Sequence, residues 1–507
     1  MADVNMATRQ SSGLSIVQTE SGLVSGADSD GVQVFKGIPF AAPPVGPLRW
    51  RPPQPPANWQ GIRAATEFGM DCPQKRTAAE SGSRAPGQDE DCLSLNVWTP
   101  ARQADEKLPV MVWVYGGSFV FGSGSENRID GETFARKGVV LVTVNYRVGL
   151  FGFLAHPGLT KESSDGFSGN YGLLDVLASL RWIRDNIAAF GGDPERVTLF
   201  GVSAGSAAVS LLMASPLAKG LFQQAILESP GTFRPLAGLA EAETAGRKLG
   251  EDIEALRRLS AAELLEKEHL LVPTMRGLTT PRVLRPIRDG HVIPEDERPA
   301  FNGGRFLAIP TIVGSNTDEG TSLTATWPVK TVADWQGVVR ENFPRDIDEA
   351  QRQYPVTSDA DVRRAVGDVF ADTQFNYGVW GLARAVAKRQ PKTYRYLFSR
   401  RRPGVASGPN HGEEVVYVFN HLDIPPRGQV EAVFDEIDQN VADAMQEAWV
   451  RFAASGDPNG PGLPRWPTYD AKADEVLEFG DEIRVTRDWR RSQVEFLDRF
   501  FEAGATG

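Results

Sequence analysis

The stretch Val197-Thr-Leu-Phe-Gly-Val-Ser203-Ala-Gly-Ser constrains this chain most. A short apolar β-type run, Val197 to Phe200, ends in Gly201-Val202-Ser203-Ala204-Gly205. A small-residue helical pattern follows from Ser206 to Ala214. This is the strand–turn–helix context of a Gly-x-Ser-x-Gly elbow, which puts a serine on a turn too tight for side chains two residues away. The serine Oγ then stands at the end of a sheet above a helix N-terminus, where developing negative charge is favoured. The five residues alone also fit an ordinary Gly-rich βα turn, so the rest of the chain has to decide.

Elsewhere the chain alternates buried strands with helices. Leu108 to Tyr115 and Val139 to Tyr146 are continuous apolar runs of the kind found at central positions of a mainly parallel sheet. Between Gly172 and Phe190, Leu173, Leu177, Leu180, Ile183 and Ile187 recur at spacings of three and four, which predicts a helix stopped by Gly191-Gly192-Asp193-Pro194. Further strands are expected at Phe222–Ser229, Leu307–Gly314, Thr393–Phe398 and Glu475–Phe479, and a helix over Val441–Ala454. Gly22–Gly26 and Val32–Gly37 read as an antiparallel ribbon at a sheet edge. Residues 240 to 300 read as a helix-rich insertion over the sheet. The pattern is that of an α/β doubly wound sheet. No linker divides residues 1–507, so one domain is expected, with a short disordered-looking tail over residues 1–14.

Composition narrows the partners. Hydrophobic residues make up 41% and charged residues 23%, ordinary values for a globular protein. The net charge of −11 and the lack of a basic run argue against nucleic acid and anionic membrane surfaces. No apolar stretch is long enough to insert in a membrane, and Met1–Ser12 lacks the apolar core of a leader. The two cysteines, Cys72 and Cys92, cannot make a zinc site alone, and no metal or other cofactor is called for. They are either two buried thiols or a disulfide closing a polar loop, a closure that contributes roughly 3 kcal/mol. The bridge is the favoured reading, and it implies an oxidising compartment, secreted or periplasmic.

A serine nucleophile needs a base, and the base needs an orienting acid. On elbows of this type the chain order is serine, acid, histidine. Of five histidines, His411 in Gly408-Pro-Asn-His-Gly-Glu has the right loop context, with His421 the runner-up. His156, His269 and His291 read as ordinary surface or core residues. The acid belongs just past a strand, where Asp318 and Glu319 stand side by side and the residues alone leave both open. Tyr115-Gly116-Gly117-Ser118-Phe119 can turn backbone N–H groups toward an oxyanion, with Ala204 supplying another. The segment Arg276–Arg288 carries four arginines able to pair with carboxylates in bidentate fashion.

Taken in order, these motifs resemble the type-B carboxylesterase/cholinesterase family. The resemblance runs from about Gly22 to Phe500. It rests on Phe35-Lys-Gly-Ile-Pro-Phe, Pro43-Pro-Val-Gly-Pro-Leu-Arg-Trp, Glu90-Asp-Cys-Leu-Ser-Leu-Asn-Val and Asn145-Tyr-Arg-Val-Gly. Phe190-Gly-Gly-Asp-Pro, Phe200-Gly-Val-Ser-Ala-Gly, Thr317-Asp-Glu-Gly, Ser455-Gly-Asp-Pro-Asn and Trp466-Pro-Thr-Tyr complete it. It implies an α/β-hydrolase fold: a large mixed, mostly parallel central sheet flanked by helices, with helical insertions over the active site. It implies a serine carboxylic-ester hydrolase acting on a small-molecule ester, with Ser203, Glu319 and His411 as the triad. Gly117, Ser118 and Ala204 become the oxyanion donors, with Gly116 opening the turn. Cys72 and Cys92 match the family's first disulfide, and Arg49 and Glu90 a structural ion pair.

Two departures bear on substrate. Val202 stands where the family commonly has glutamate, which argues against a cationic choline ester. Ser118 stands where a glycine or alanine is usual, which narrows the acyl side. With Val202, Phe119, Arg276 and Arg288 taken as substrate-binding, an anionic acyl group such as a fumonisin-type tricarballylate ester becomes a reading to test. A non-catalytic binding protein on the same scaffold, or an amidase or acyltransferase with the same triad, are the alternatives. The intact triad disfavours the first.

Overall fold

A computed structural model describes residues 14–271, 284–405, 407–425 and 433–505. The 14 strands are β1 (Ile16–Thr19), β2 (Gly22–Ser25), β3 (Ala27–Ser29), β4 (Val32–Pro39), β5 (Ile62–Ala64), β6 (Ser94–Thr99) and β7 (Leu108–Val114). They continue with β8 (Val140–Val144), β9 (Gly192–Val202), β10 (Gln224–Glu228), β11 (Thr311–Asn316), β12 (Thr393–Phe398), β13 (Glu475–Phe479) and β14 (Ile483–Arg487).

Eleven strands form one sheet in the order β14-β13-β12-β11-β10-β9-β7-β8-β6-β4-β3. Its middle, from β13 to β8, is parallel, and antiparallel strands extend both edges. The central strands β7, β8, β10 and β11 are buried almost throughout, as apolar runs with both faces covered must be. Helices Ala204–Ala214 and Glu436–Ser455 pack on β7 and β9. The fold is the mixed, mostly parallel α/β sheet flanked by helices that the sequence implies, with helices Leu239–Gly246, Ile253–Arg257, Ala261–Lys267 and Glu297–Asn302 in the expected insertion.

The register places the site. Val114 of β7 pairs with Gly201 of β9, Val202 with Glu228 of β10, and Glu228 with Gly314 of β11. The C-terminal ends of these strands therefore lie side by side, where ligands bind in open α/β sheets.

Some local expectations change. Gly22–Ser25 does not pair with Val32–Pro39; it belongs to a separate three-stranded sheet with β1 and β5, and the edge hairpin is β3–β4. Turn residues at both ends of Ala27–Ser29 let this short strand, rather than β2, fold back on β4. Strand β9 starts at Gly192, well before Val197, because Leu108 of β7 pairs with Gly192 across a register irregularity. The helix at Tyr171–Asn186 ends in a 3-10 turn at Ile187–Phe190, and Gly191 stops it with φ 81°. Most of the tail, residues 1–13, lies outside the described residues.

Cys72 and Cys92 are buried free thiols, not the bridge that the sequence reading favours. A hydrogen bond to Cys72 and burial push the Cys92 thiol well above its ordinary range, so the two sulfurs are neighbours. Cys72 Sγ also accepts from Val148 N at 3.4 Å.

Near them lies a fully buried ion pair. Arg147 donates through Nε (2.8 Å) and Nη2 (2.7 Å) to the two oxygens of Asp175, tying the loop after β8 to the helix Tyr171–Asn186. Arg49 and Glu90 form the expected structural pair, with Nε donating at 2.7 Å. Removing one charge of a buried pair strands the other. Asp175→Asn is expected to cost about 3–5 kcal/mol of stability, read as a lowered urea midpoint with an unchanged slope.

Candidate active site

The elbow is built by close approach. A Cβ placed on Gly201 would lie 2.3 Å from the Val114 carbonyl oxygen, and one on Gly205 only 2.0 Å from it. Both glycines let β9 and the following helix press against β7. Between them Ser203 takes φ 58° and ψ −121°, a strained conformation for a residue with a side chain. Its N–H donates to the Glu228 carbonyl (2.9 Å) and its carbonyl accepts from Ala207 N (2.8 Å). The strain is thus held from β10 on one side and from the helix on the other.

The oxyanion turn is equally constrained. Gly117, Ser118 and Phe119 have φ of 116°, 58° and 64°, three successive left-handed residues. A Cβ on Gly117 would lie 2.0 Å from the Phe121 carbonyl oxygen, and one on Gly116 would lie 2.7 Å from that of Val202. Val120 N and Phe121 N close the turn on the Gly117 carbonyl at 3.0 and 3.2 Å. Ser203, Ala204, Val202, His411 and Gly116–Phe119 all line one cavity of about 580 Å³.

Glu319 is fully buried, and its Oε2 accepts from His411 Nδ1. Its Oε1 accepts from Asn316 N (2.7 Å) and from Ser229 Oγ. Asp318, left open by the residues alone, is only half-buried, and its backbone bridges to the segment before His411. The His411 ring stacks on Phe375, with centroids 4.4 Å apart. The other histidines are occupied elsewhere. His156 Nδ1 caps a helix at Gly158 N, His269 lies against the Glu266 carbonyl, His291 stacks on Phe167, and His421 meets the Asp130 carbonyl.

Under the Glu319–His411 pair lie two further buried carboxyls that sequence reasoning missed. Glu414 Oε2 accepts from Asn316 Nδ2 (2.5 Å), which also donates to the Asn410 carbonyl (2.7 Å). Glu228 Oε1 accepts from Trp449 Nε1 (2.9 Å). Burial first, then the Glu319 charge, pushes Glu414 up to about 7, and burial with Glu414 pushes Glu228 well above its ordinary range. Burial thus shifts both carboxyls toward their neutral, protonated forms. The signals were faint: a second glutamate after His411-Gly412, and Glu228-Ser229 ending the strand beside the elbow.

One of the two arginine expectations changes as well. Arg276 lies outside the described residues. Arg288 is exposed and turns away from the cavity, pairing with Asp296 at 3.4 Å and donating to the Leu236 carbonyl at 3.3 Å. Of the segment's two described arginines, Arg285 is the one on the cavity wall, while a backbone bridge holds Arg288 beside Gly238. Arg76, Arg128 and Arg234, none of them singled out in the sequence, line the same wall. Phe119 and Val202 line it too.

Burial favours the neutral His411 ring, but the Glu319 carboxylate and its hydrogen bond outweigh that and hold the pKa above the ordinary histidine value, with Glu414 adding to the rise. A histidine accepts a proton only in its neutral form, so a kcat/KM profile that follows His411 is expected to have its acid limb above the ordinary value of about 6.5. Glu414→Gln removes a negative neighbour and is expected to move that limb to lower pH. A fall in rate with no shift of the limb would contradict the electrostatic role.

The carboxylesterase family model matches residues 14–497. The chain is 48% identical over 469 residues to fumonisin B1 esterase of Sphingopyxis macrogoltabida, covering 92% of this chain and 86% of that one. It is 34% identical over 495 residues to para-nitrobenzyl esterase of Bacillus subtilis (strain 168), covering 93% and 96%. A solved PNB esterase superposes with a TM-score of 0.84 at 32% identity, covering 94% of this chain and 99% of that one. With an α/β-hydrolase sheet, an elbow serine and a family match over nearly its whole length, this chain belongs to the carboxylesterase family and is a carboxylic-ester hydrolase.

Proposed function

We propose that the hydrolysis runs through an acyl-enzyme on Ser203, with His411 as base and Glu319 as the orienting acid. The observation that carries this reading is the buried Glu319–His411 hydrogen bond, made by a histidine that shares the cavity wall with Ser203. Glu319 holds Nδ1, so Nε2 is the nitrogen that takes the Ser203 Oγ proton as Oγ attacks the ester carbon. The electron pair of the carbonyl moves to oxygen, where the N–H groups of Gly117, Ser118 and Ala204 receive it. Collapse expels the alcohol, which leaves with the proton from His411. Water then gives its proton to His411 and attacks the acyl-enzyme, releasing the carboxylic acid and restoring Ser203.

The substrate in this reading is an ester of a polycarboxylic acid, of the tricarballylate type. Support comes from the similarity to a fumonisin B1 esterase, from arginines on the cavity wall and from Val202 in place of an acidic residue beside the nucleophile.

Ser203→Ala is expected to lower turnover of para-nitrophenyl esters and of a tricarballylate ester by at least about 10³-fold, with the melting temperature kept within a few degrees. Retention of wild-type turnover would overturn the assignment.

A further inference from the structure

We infer that Arg76, Arg234 and Arg285 form a carboxylate-binding subsite that selects esters whose acyl group carries free carboxylates. The inference rests on the proposed Ser203 chemistry and identifies what reads the substrate.

The chain has 54 Lys and Arg against 65 Asp and Glu, so an average stretch of its surface is slightly acidic. The cavity wall reverses that balance. Four arginines line it, no lysine does, and among the described residues Glu413 is its one carboxylate. Glu413 is engaged with Arg402 (3.4 Å) and Asn410 Nδ2 (3.1 Å). Arg128 serves as an anchor: its Nε donates to Glu126 (2.8 Å) and its Nη1 to the Gly412 carbonyl (3.2 Å), beside His411. The remaining three come from three separate segments: the loop after Cys72, the loop after β10, and the stretch just before Ile287.

All three are half-buried and line the cavity. The Arg76 guanidinium lies 3.9 Å over the Phe121 ring. A guanidinium held over a ring by its face can still offer in-plane N–H donors to a carboxylate. Arg234 follows Thr232 and Phe233, which are held by the buried Glu297: Thr232 Oγ1 donates to it at 2.6 Å and Phe233 N at 3.2 Å. The loop that carries Arg234 is therefore rigidly placed. Inside a cavity, screening by salt and water is weaker than on an open surface, and charge-assisted bidentate pairs are the strong ones. The net charge of −11 slows the approach of an anion from afar, so selection has to arise within the cavity.

The test compares kcat/KM for para-nitrophenyl hemiglutarate and para-nitrophenyl hexanoate, of similar length but differing in the terminal carboxylate. A third ester carries its carboxylate on the alcohol side, as a hexanoate of hydroxybenzoic acid. The wild type is expected to prefer the hemiglutarate about tenfold or more. Arg234→Gln and Arg285→Gln are each expected to cut that preference about fivefold, and the pair together to abolish it. The preference is a ratio within each variant, so partial misfolding cancels. Ser203-dependent turnover of all three esters with no preference, or a preference for the alcohol-side carboxylate, would overturn the subsite while leaving the Ser203 mechanism intact. Turnover that does not depend on Ser203 would remove the mechanism and the subsite with it.

Discussion

Everything at the active site depends on how closely β9 and its helix approach the end of β7. The Val114 carbonyl oxygen sits where side chains of residues 201 and 205 would otherwise be. Only glycine at both positions allows that contact, and the contact fixes the turn between them. Ser203 is then held at a positive φ with its N–H on the Glu228 carbonyl. The same strand end leads into Gly116 and Gly117, whose missing side chains let the oxyanion turn lie against Val202 and Phe121. The Ser203 turn and the Gly116–Phe119 turn are thus two sides of one packing constraint.

The electrostatics are arranged around that rigid frame. Asn316 ties three pieces together: its N–H holds Glu319, and its side chain holds Glu414 and the Asn410 carbonyl next to His411. One residue at the end of β11 thereby positions both Glu319 and the loop of His411. The two buried carboxyls beneath have pKa values pushed upward, which limits the negative charge that His411 senses. The Glu319 charge and its hydrogen bond still leave the His411 pKa above the ordinary histidine value.

Legibility in the sequence followed locality. The elbow was readable because its glycines, serine and flanking strand are contiguous, and continuous apolar runs such as Leu108–Val114 mark central strands without further help. The choice of Glu319 over Asp318 was not available from the residues alone; it came from the family resemblance, and the burial of Glu319 supports it. Ser229, Asn316 and Glu414 were missed because their roles depend on register between strands far apart in sequence. Arg288 was chosen and Arg285 passed over for the same reason: only the fold shows Arg285 on the cavity wall and Arg288 held beside Gly238. The pairing of Ala27–Ser29, rather than Gly22–Ser25, with β4 likewise turns on three residues too few to read as a strand.

The most direct measurement is a rapid-quench reaction with a para-nitrophenyl ester, followed by mapping of any acyl group on the chain. A burst of about one para-nitrophenol per active site, with the acyl group on the peptide that carries Ser203, is the predicted result. Steady turnover with no burst and no acylated peptide, under conditions where deacylation is slowed, would contradict the account.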